Sequence, residues 1–262
     1  MSIWISKPPP GIPINWGHPL AQRLATAWLF NEGAGGRIAD CVQMRISSQF
    51  TNDPVWQGGG IQFASASSQR IDLPDNICVS NGNTAFSVAA LMRTTTTTGY
   101  RDIWGEGDAS AQGLAQLLHN SSNQIEFAIR NDAGTIPGAK ITVSGLTDGY
   151  WHVVVATYGG SGTTMRVYTD GVERARSTGP TGALTTTLST IGAIRFNGGT
   201  VNYWNGGIGW VYTWRRELSA RDVAALSAQP YAFMLTPSWA TRFISANSLV
   251  PLSAYYRMMG MR

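Results

Sequence analysis

The sequence predicts an all-β fold of two antiparallel sheets packed as a sandwich, and three observations carry that prediction. Short runs of β-branched and aromatic residues recur at roughly 8 to 12 residue intervals. Glycines separate them, 30 in a chain of 262 residues. One short helix signal stands near the end, where a βαβ fold would alternate helices with strands throughout.

The elements follow in order. Ile61-Gln62-Phe63 and Gln69 to Leu73 alternate apolar and polar, and Phe86 to Met92 is a β-run. Asp102-Ile103-Trp104 and Leu114 to His119 read as short strands, and Gln124 to Arg130 alternates again. Trp151 to Tyr158, bounded by Gly149 and Gly159-Gly160, is apolar almost throughout and predicts a strand buried on both faces. Met165 to Thr169 has period two, and Asp170-Gly171 supplies the left-handed pair of a tight hairpin before Val172 to Ala175 return. Thr190 to Phe196 reads as one more strand. Gly206 to Trp214 sets Ile208, Trp210, Tyr212 and Trp214 on one face that must be covered. Ser219 with Asp222 three residues on is a short-acid capping box, which opens a short helix ending before Pro230.

These motifs, in this order, carry a family resemblance. GYWHVVVATY, the TDG hairpin, YWNGGIGWVYTW and ELSARDVAAL resemble the C-terminal half of a laminin-G-like, concanavalin A-like jelly roll. AWLFNEGAGGRIADC at 27–41 resembles its first strand and turn, so the likeness runs from Leu24 to Leu226. It implies a two-sheet jelly roll with one C-terminal helix at 21–228, flanked by extended arms at 1–20 and 229–262. Many relatives hold a structural calcium between the early acidic turn and an Asp of the late strand. Here Asn31, Glu32 and Gly33 match the turn, but Gly209 stands where that Asp would be. Glu32 and Asp40 are the ligand candidates, and the missing carboxylate argues against the metal.

The 43% hydrophobic content is ample for one such core. Charged residues make up 13%, and threonine runs at 94–98 and 185–187 give a neutral, hydroxyl-rich surface that suits sugars or crowded assemblies better than nucleic acid. No Asp or Glu precedes Glu32 or follows Asp222, so the net charge of +4 belongs to the flanks. Those flanks hold Trp4, Lys7, Trp16, Tyr231, Phe233, Trp239, Arg242, Phe243, Tyr255, Tyr256 and Arg257. They are too aromatic for disordered tails and too proline-rich for long helices. They are expected to dock on another protein, with wrapping of the parent domain as the alternative. Asn247 and Pro251 interrupt the last apolar stretch, so membrane insertion is not expected.

The start MSIWISKPPPG lacks the charged and apolar regions of a secretory signal. A jelly roll made in the cytoplasm with docking arms, and the segments KPPPGIPINWGHPL and PYAFMLTPSW, resemble virion proteins of tailed bacteriophages. That resemblance implies a capsid-decorating or head-attached protein, held on the major capsid protein by its arms and forming homo-oligomers. A tail or fibre receptor-binding module is the alternative.

Catalysis has little support. The laminarinase-type hydrolases of this fold place paired carboxylates on one strand as ExDxE or ExDxxE, and the sequence has neither pattern. The nearest group, Asp102, Glu106 and Asp108 in RDIWGEGDAS, reads as a glycine-rich loop. Cys41 and Cys78 have no CxxC spacing, and His18, His119 and His152 form no metal set. Non-enzymatic glycan binding on a rim of loops is the expectation, through Asn197, Asn202 and Tyr203 with Tyr100, Arg101 and Asp102 as a second wall.

Overall fold

A computed structural model describes residues 7–46, 48–74, 77–110, 112–136, 138–142 and 146–234. The strands of its first half are β1 (Leu24–Trp28), β2 (Ala39–Asp40), β3 (Arg45–Ile46), β4 (Gln49–Thr51), β5 (Val55–Gln57), β6 (Gly60–Phe63), β7 (Arg70–Asp72), β8 (Phe86–Arg93) and β9 (Arg101–Gly107). Next come β10 (Leu114–His119), β11 (Gln124–Arg130), β12 (Gly138–Thr142), β13 (His152–Tyr158), β14 (Thr164–Thr169) and β15 (Val172–Thr178). The last are β16 (Leu188–Ile191), β17 (Ile194–Phe196), β18 (Gly199–Val201) and β19 (Gly206–Trp214), followed by the helix α1 (Ala220–Ala228).

Two antiparallel sheets stack as predicted. The first runs β15-β14-β13-β8-β19-β1-β2-β3, with β6 also on β19 and β5 on β6. The second runs β12-β11-β10-β9-β16-β7-β4. Asp170 and Gly171 have φ of 48° and 85°, the left-handed pair that turns β14 into β15. On β13, every residue after His152 is buried, as its apolar run requires. The helix carries the full reciprocal cap between Ser219 and Asp222.

Three local expectations are corrected. RDIWGEGD is not a loop: β9 runs to Gly107, and its two glycines are there because the β17–β18 hairpin presses on them. A Cβ on Gly105 would lie 2.9 Å from Cβ of Ile194, and one on Gly107 would lie 2.7 Å from Cβ of Phe196. Thr190 to Phe196 is two strands, since Gly192 at φ 81° turns the chain between β16 and β17. Ile208 does not share a face with Trp210. A register shift at Gly209 in the β19–β8 pairing puts Ile208 in the core between the sheets and Trp210, Tyr212 and Trp214 on the opposite face.

That opposite face is covered by residues 14–21 and 231–234, which corrects the docking reading for Tyr231 and Phe233. Ile14, Leu20, Ala21, Tyr231, Phe233 and Met234 are buried in a second core against Trp210, Tyr212, Trp214 and the helix. Asn15 N donates to Phe233 O at 2.8 Å, and Trp214 Nε1 to Leu20 O at 2.7 Å. Tyr231 and Phe233 therefore serve this domain, because three aromatic rings on one sheet face need apolar cover. Lys7 is likewise turned inward, onto backbone carbonyls of β19 and of the turn after β1. Trp16 stays exposed, at 57%. Trp4, Trp239, Arg242, Phe243, Tyr255, Tyr256 and Arg257 lie outside the described residues.

Candidate functional site

Four segments meet at the end of the sandwich where β8 gives way to β9. Hydrogen bonds fix them to one another. Asp102 N donates to Asn202 O at 2.7 Å, and Arg101 Nη1 to Tyr203 O at 3.1 Å. Thr94 Oγ1 donates to Asn205 O at 2.6 Å, and Asn205 Nδ2 to Thr96 Oγ1 at 2.8 Å. Gly149 N reaches Thr94 O at 3.1 Å, which brings the β12–β13 loop onto the same rim. Two aromatic side chains stand out from this framework: Tyr100 is 53% exposed and Tyr150 is 73% exposed. The threonines at 95–98 are half-buried or exposed beside them.

The structure thus brings together Tyr100, Arg101, Asn202 and Tyr203 of the expected site, and it removes two members. Asn197 N bonds Asp108 O at 2.7 Å, at the far end of β9. Six residues of strand separate that point from Asp102, about 20 Å. Asn197 at φ 49° is a turn residue of the β17–β18 hairpin. Asp102 is fully buried and cannot meet a ligand. It pairs with Leu118, opposite the core-facing Leu117, so it lies on the outer face of its sheet, beneath the 192–205 segment. Burial pushes its carboxyl well above the usual range; Asn202 pulls weakly the other way and Glu126 adds to the rise.

Tyr150 is an exposed aromatic of this rim that sequence reasoning did not single out. Its signal was the pair Asp148-Gly149, a turn that lifts the next residue to a loop tip. Asp148 Oδ1 accepts Tyr150 N at 2.8 Å, and Gly149 has φ 83°. His152 ties this loop to the β14–β15 turn: Nδ1 faces Asp170 Oδ2 at 2.9 Å and Nε2 faces Asp148 Oδ1 at 3.1 Å. Only an imidazolium can donate to both carboxylates. The Asp170 contact, and after it Asp148, holds the imidazole above its ordinary range.

The other carboxylates of β9 and of the residue after it are structural. Glu106 is buried and accepts Val79 N at 3.0 Å, Ser80 N at 2.9 Å and Ser80 Oγ at 2.6 Å. Asp108 accepts Ser110 N at 2.8 Å and Thr187 Oγ1 at 2.6 Å. The metal candidates do the same work elsewhere. Glu32 Oε1 accepts Ala39 N at 2.7 Å, and Asp40 Oδ1 accepts Ala27 N at 2.8 Å and Val42 N at 3.0 Å. Among the described residues no group of three or more His, Cys, Asp or Glu could hold a metal ion. Cys41 and Cys78 are free thiols, and burial pushes that of Cys41 up to about 12. Among the described residues no helix is long and apolar enough to cross a membrane.

The family model described as the concanavalin A-like lectin/glucanases superfamily, a laminin G type, matches residues 65–224, more than half of the chain. The chain belongs to this superfamily. No curated protein matches the sequence. Among solved structures, this concanavalin A-like domain is similar to the binding domain of botulinum neurotoxin serotype C1, with a TM-score of 0.62 and 12% identity over 79% of this chain and 52% of that one. The binding domain of botulinum neurotoxin DC, in complex with SialylT, gives 0.58 and 11% over 79% and 51%. The NanB sialidase of Streptococcus pneumoniae, as its K499G mutant, gives 0.52 and 17% over 65% and 28%. The chain spans about half the length of the neurotoxin binding domains. At such identities the likeness is one of fold.

Proposed function

We propose that the chain is a non-enzymatic virion protein of a tailed bacteriophage whose lectin-like domain adheres to glycans through the Tyr100–Tyr150 rim. The observation that carries the glycan reading is this pair of exposed rings on a backbone fixed by hydrogen bonds. Exposed tyrosine faces offer apolar area to the C–H faces of a sugar at low entropic cost, and the Thr, Asn and Arg groups around them offer hydrogen bonds. The fold is one in which a neurotoxin binding domain has been seen with a sialyl ligand, which supports the class of ligand and not its identity. The burial of Asp102, Glu106 and Asp108 supports the non-enzymatic reading.

Attachment to a capsid protein would fall to the residues outside the described domain. Residues 235–262 have no Asp or Glu and carry Arg242, Arg257 and Arg262 with Trp239, Phe243, Tyr255 and Tyr256. An acidic partner surface would both steer and hold such a segment. The folding of residues 7–20 and 229–234 onto their own domain favours a second reading, a tail or fibre receptor-binding module that needs no partner to be complete.

Binding of full-length protein, Tyr100→Ala and Tyr150→Ala to a panel of bacterial polysaccharides tests the rim. Each variant is expected to weaken binding about tenfold, or about 1.4 kcal/mol, with unchanged melting. Unchanged affinity in both variants would overturn the rim assignment. Saturation of purified phage heads at a symmetric copy number by the full chain, and not by residues 1–234, supports decoration; polysaccharide binding without head binding supports the receptor-binding module.

A further inference from the structure

The Lys7 ammonium is enclosed by main-chain oxygen. Its Nζ donates to Leu29 O at 2.6 Å, Phe30 O at 3.0 Å and Gly209 O at 2.5 Å, which uses all three of its protons. The backbone is bent to permit this. Phe30 has φ 52°, a left-handed conformation that a bulky residue holds only under strain, and it turns two consecutive carbonyls toward one point. Gly209 sits at the register shift between β19 and β8, where the extra residue is released from regular pairing. The Glu32 charge acts on the same ammonium, and Glu32 Oε2 is buried without a hydrogen-bond partner.

Converging carbonyl oxygens with a negative charge close by are the surroundings of a hard cation. We propose that the carbonyls of Leu29, Phe30 and Gly209, with the Glu32 charge nearby, form a hard-cation cage that the chain fills with its own Lys7 ammonium, so that the domain is complete without calcium. The cage itself is neutral main-chain oxygen, which suits a monovalent ammonium. Three carbonyl acceptors at once call for three N–H bonds, which the ammonium has and a neutral amine lacks. The strap that delivers it is fixed separately. Pro8 is buried, and its carbonyl accepts Asn31 Nδ2 at 2.7 Å. Pro8-Pro9-Pro10 restrict the backbone beyond, which reduces the entropy lost in placing the ammonium. Without Lys7, three carbonyls would face one another unpaired beside the Glu32 charge, and a free cation would take its place.

The chain has two lysines, Lys7 and Lys140, so lysine-selective ¹⁵N labelling of the full protein gives a two-signal readout. The Lys7 ammonium is expected in slow hydrogen exchange, unmoved by either chelator or millimolar Ca²⁺. Lys7→Ala is expected to melt lower in chelator and to recover by about 3 °C or more in millimolar Ca²⁺. Wild type is expected to show no such recovery, nor is Lys7→Met, whose neutral stem fills the space, nor Lys7→Ala combined with Glu32→Gln. The proposal is overturned if wild type gains stability from Ca²⁺ as Lys7→Ala does, if Lys7→Ala folds and ignores Ca²⁺, or if the Lys7 ammonium exchanges as fast as an exposed lysine. The exchange measurement decides the matter even if Lys7→Ala does not fold.

Discussion

At Glu106 burial and hydrogen bonding pull in opposite directions, and burial wins. Its carboxyl is pushed up to about 7 from an ordinary 4.5, against three donors from Val79 and Ser80 that favour the ionised form. The folded state therefore holds more protons than the unfolded chain between those two values. The stability this group contributes is full below pH 4.5 and declines as pH rises to about 7. The decline is bounded at on the order of 3 kcal/mol. Asp102 and Asp40, also raised, act in the same sense, whereas the lowered Asp170 and Asp222 oppose it. Denaturant unfolding of wild type and Glu106→Gln from pH 4 to 8 separates this group from the rest. The difference between the two proteins should slope across that window, and a flat difference would remove the assignment. None of this was legible in RDIWGEGDAS, where polar residues among glycines read as an exposed loop. Burial there is imposed by segments far away in sequence, Val79-Ser80 and the stretch after Gly192.

Elements whose reasons are local were legible, and those whose reasons are distant were not. β13 and the β14–β15 hairpin announced themselves by composition, period and the Asp170-Gly171 pair, all within a few residues. The extent of β9 did not, because Gly105 and Gly107 answer to Ile194 and Phe196, some ninety residues later. The bulge at Gly209 hid for a related reason: a glycine in an alternating run looks like a small residue, and its effect is to change which face the following aromatics take. The hairpin contact yields a prediction of its own. Gly107→Ala would push on Cβ of Phe196 at 2.7 Å and on the Arg195 backbone. Neither is the tip of a flexible side chain, so β17–β18 must lift or the sheet must shift. A loss of about 1–3 kcal/mol is expected, with faster hydrogen exchange confined to residues near 194–205. Because Asn202 to Asn205 belong to that segment, the glycan affinity proposed for the Tyr100–Tyr150 rim should fall with it. Unchanged exchange over 194–205 would show that the hairpin does not rest on β9.

For the molecule as a whole, the second core decides what the ends of the chain are free to do. The first sheet presents Trp210, Tyr212 and Trp214 on its outer face, with Trp210 and Tyr212 stacked at 4.4 Å and Phe233 edge-on to Tyr212 at 5.2 Å. Residues 14–21 and 231–234 complete this layer, so Tyr231 and Phe233, read from sequence as partner-seeking, are spent within the domain, while Trp16 stays exposed. The aromatic content of the arms was legible; which aromatic face would claim them was not, since the bulge that exposes that face was itself unseen. Phe233 is fully buried, and Phe233→Ala should cost about 3–5 kcal/mol. A segment merely resting on the surface would lose under 0.5 kcal/mol instead. Equilibrium unfolding distinguishes the two, and the cooperativity of the transition adds a second criterion. If the second core is part of one folding unit, the variant shifts a single transition to lower denaturant with an unchanged slope; if the ends form a detachable layer, an earlier and separate transition appears. The first outcome also constrains any assembly: a partner could not be held by pulling Ile14, Leu20, Tyr231 or Phe233 away from the sheet, because displacing them would unfold the domain that carries the rim.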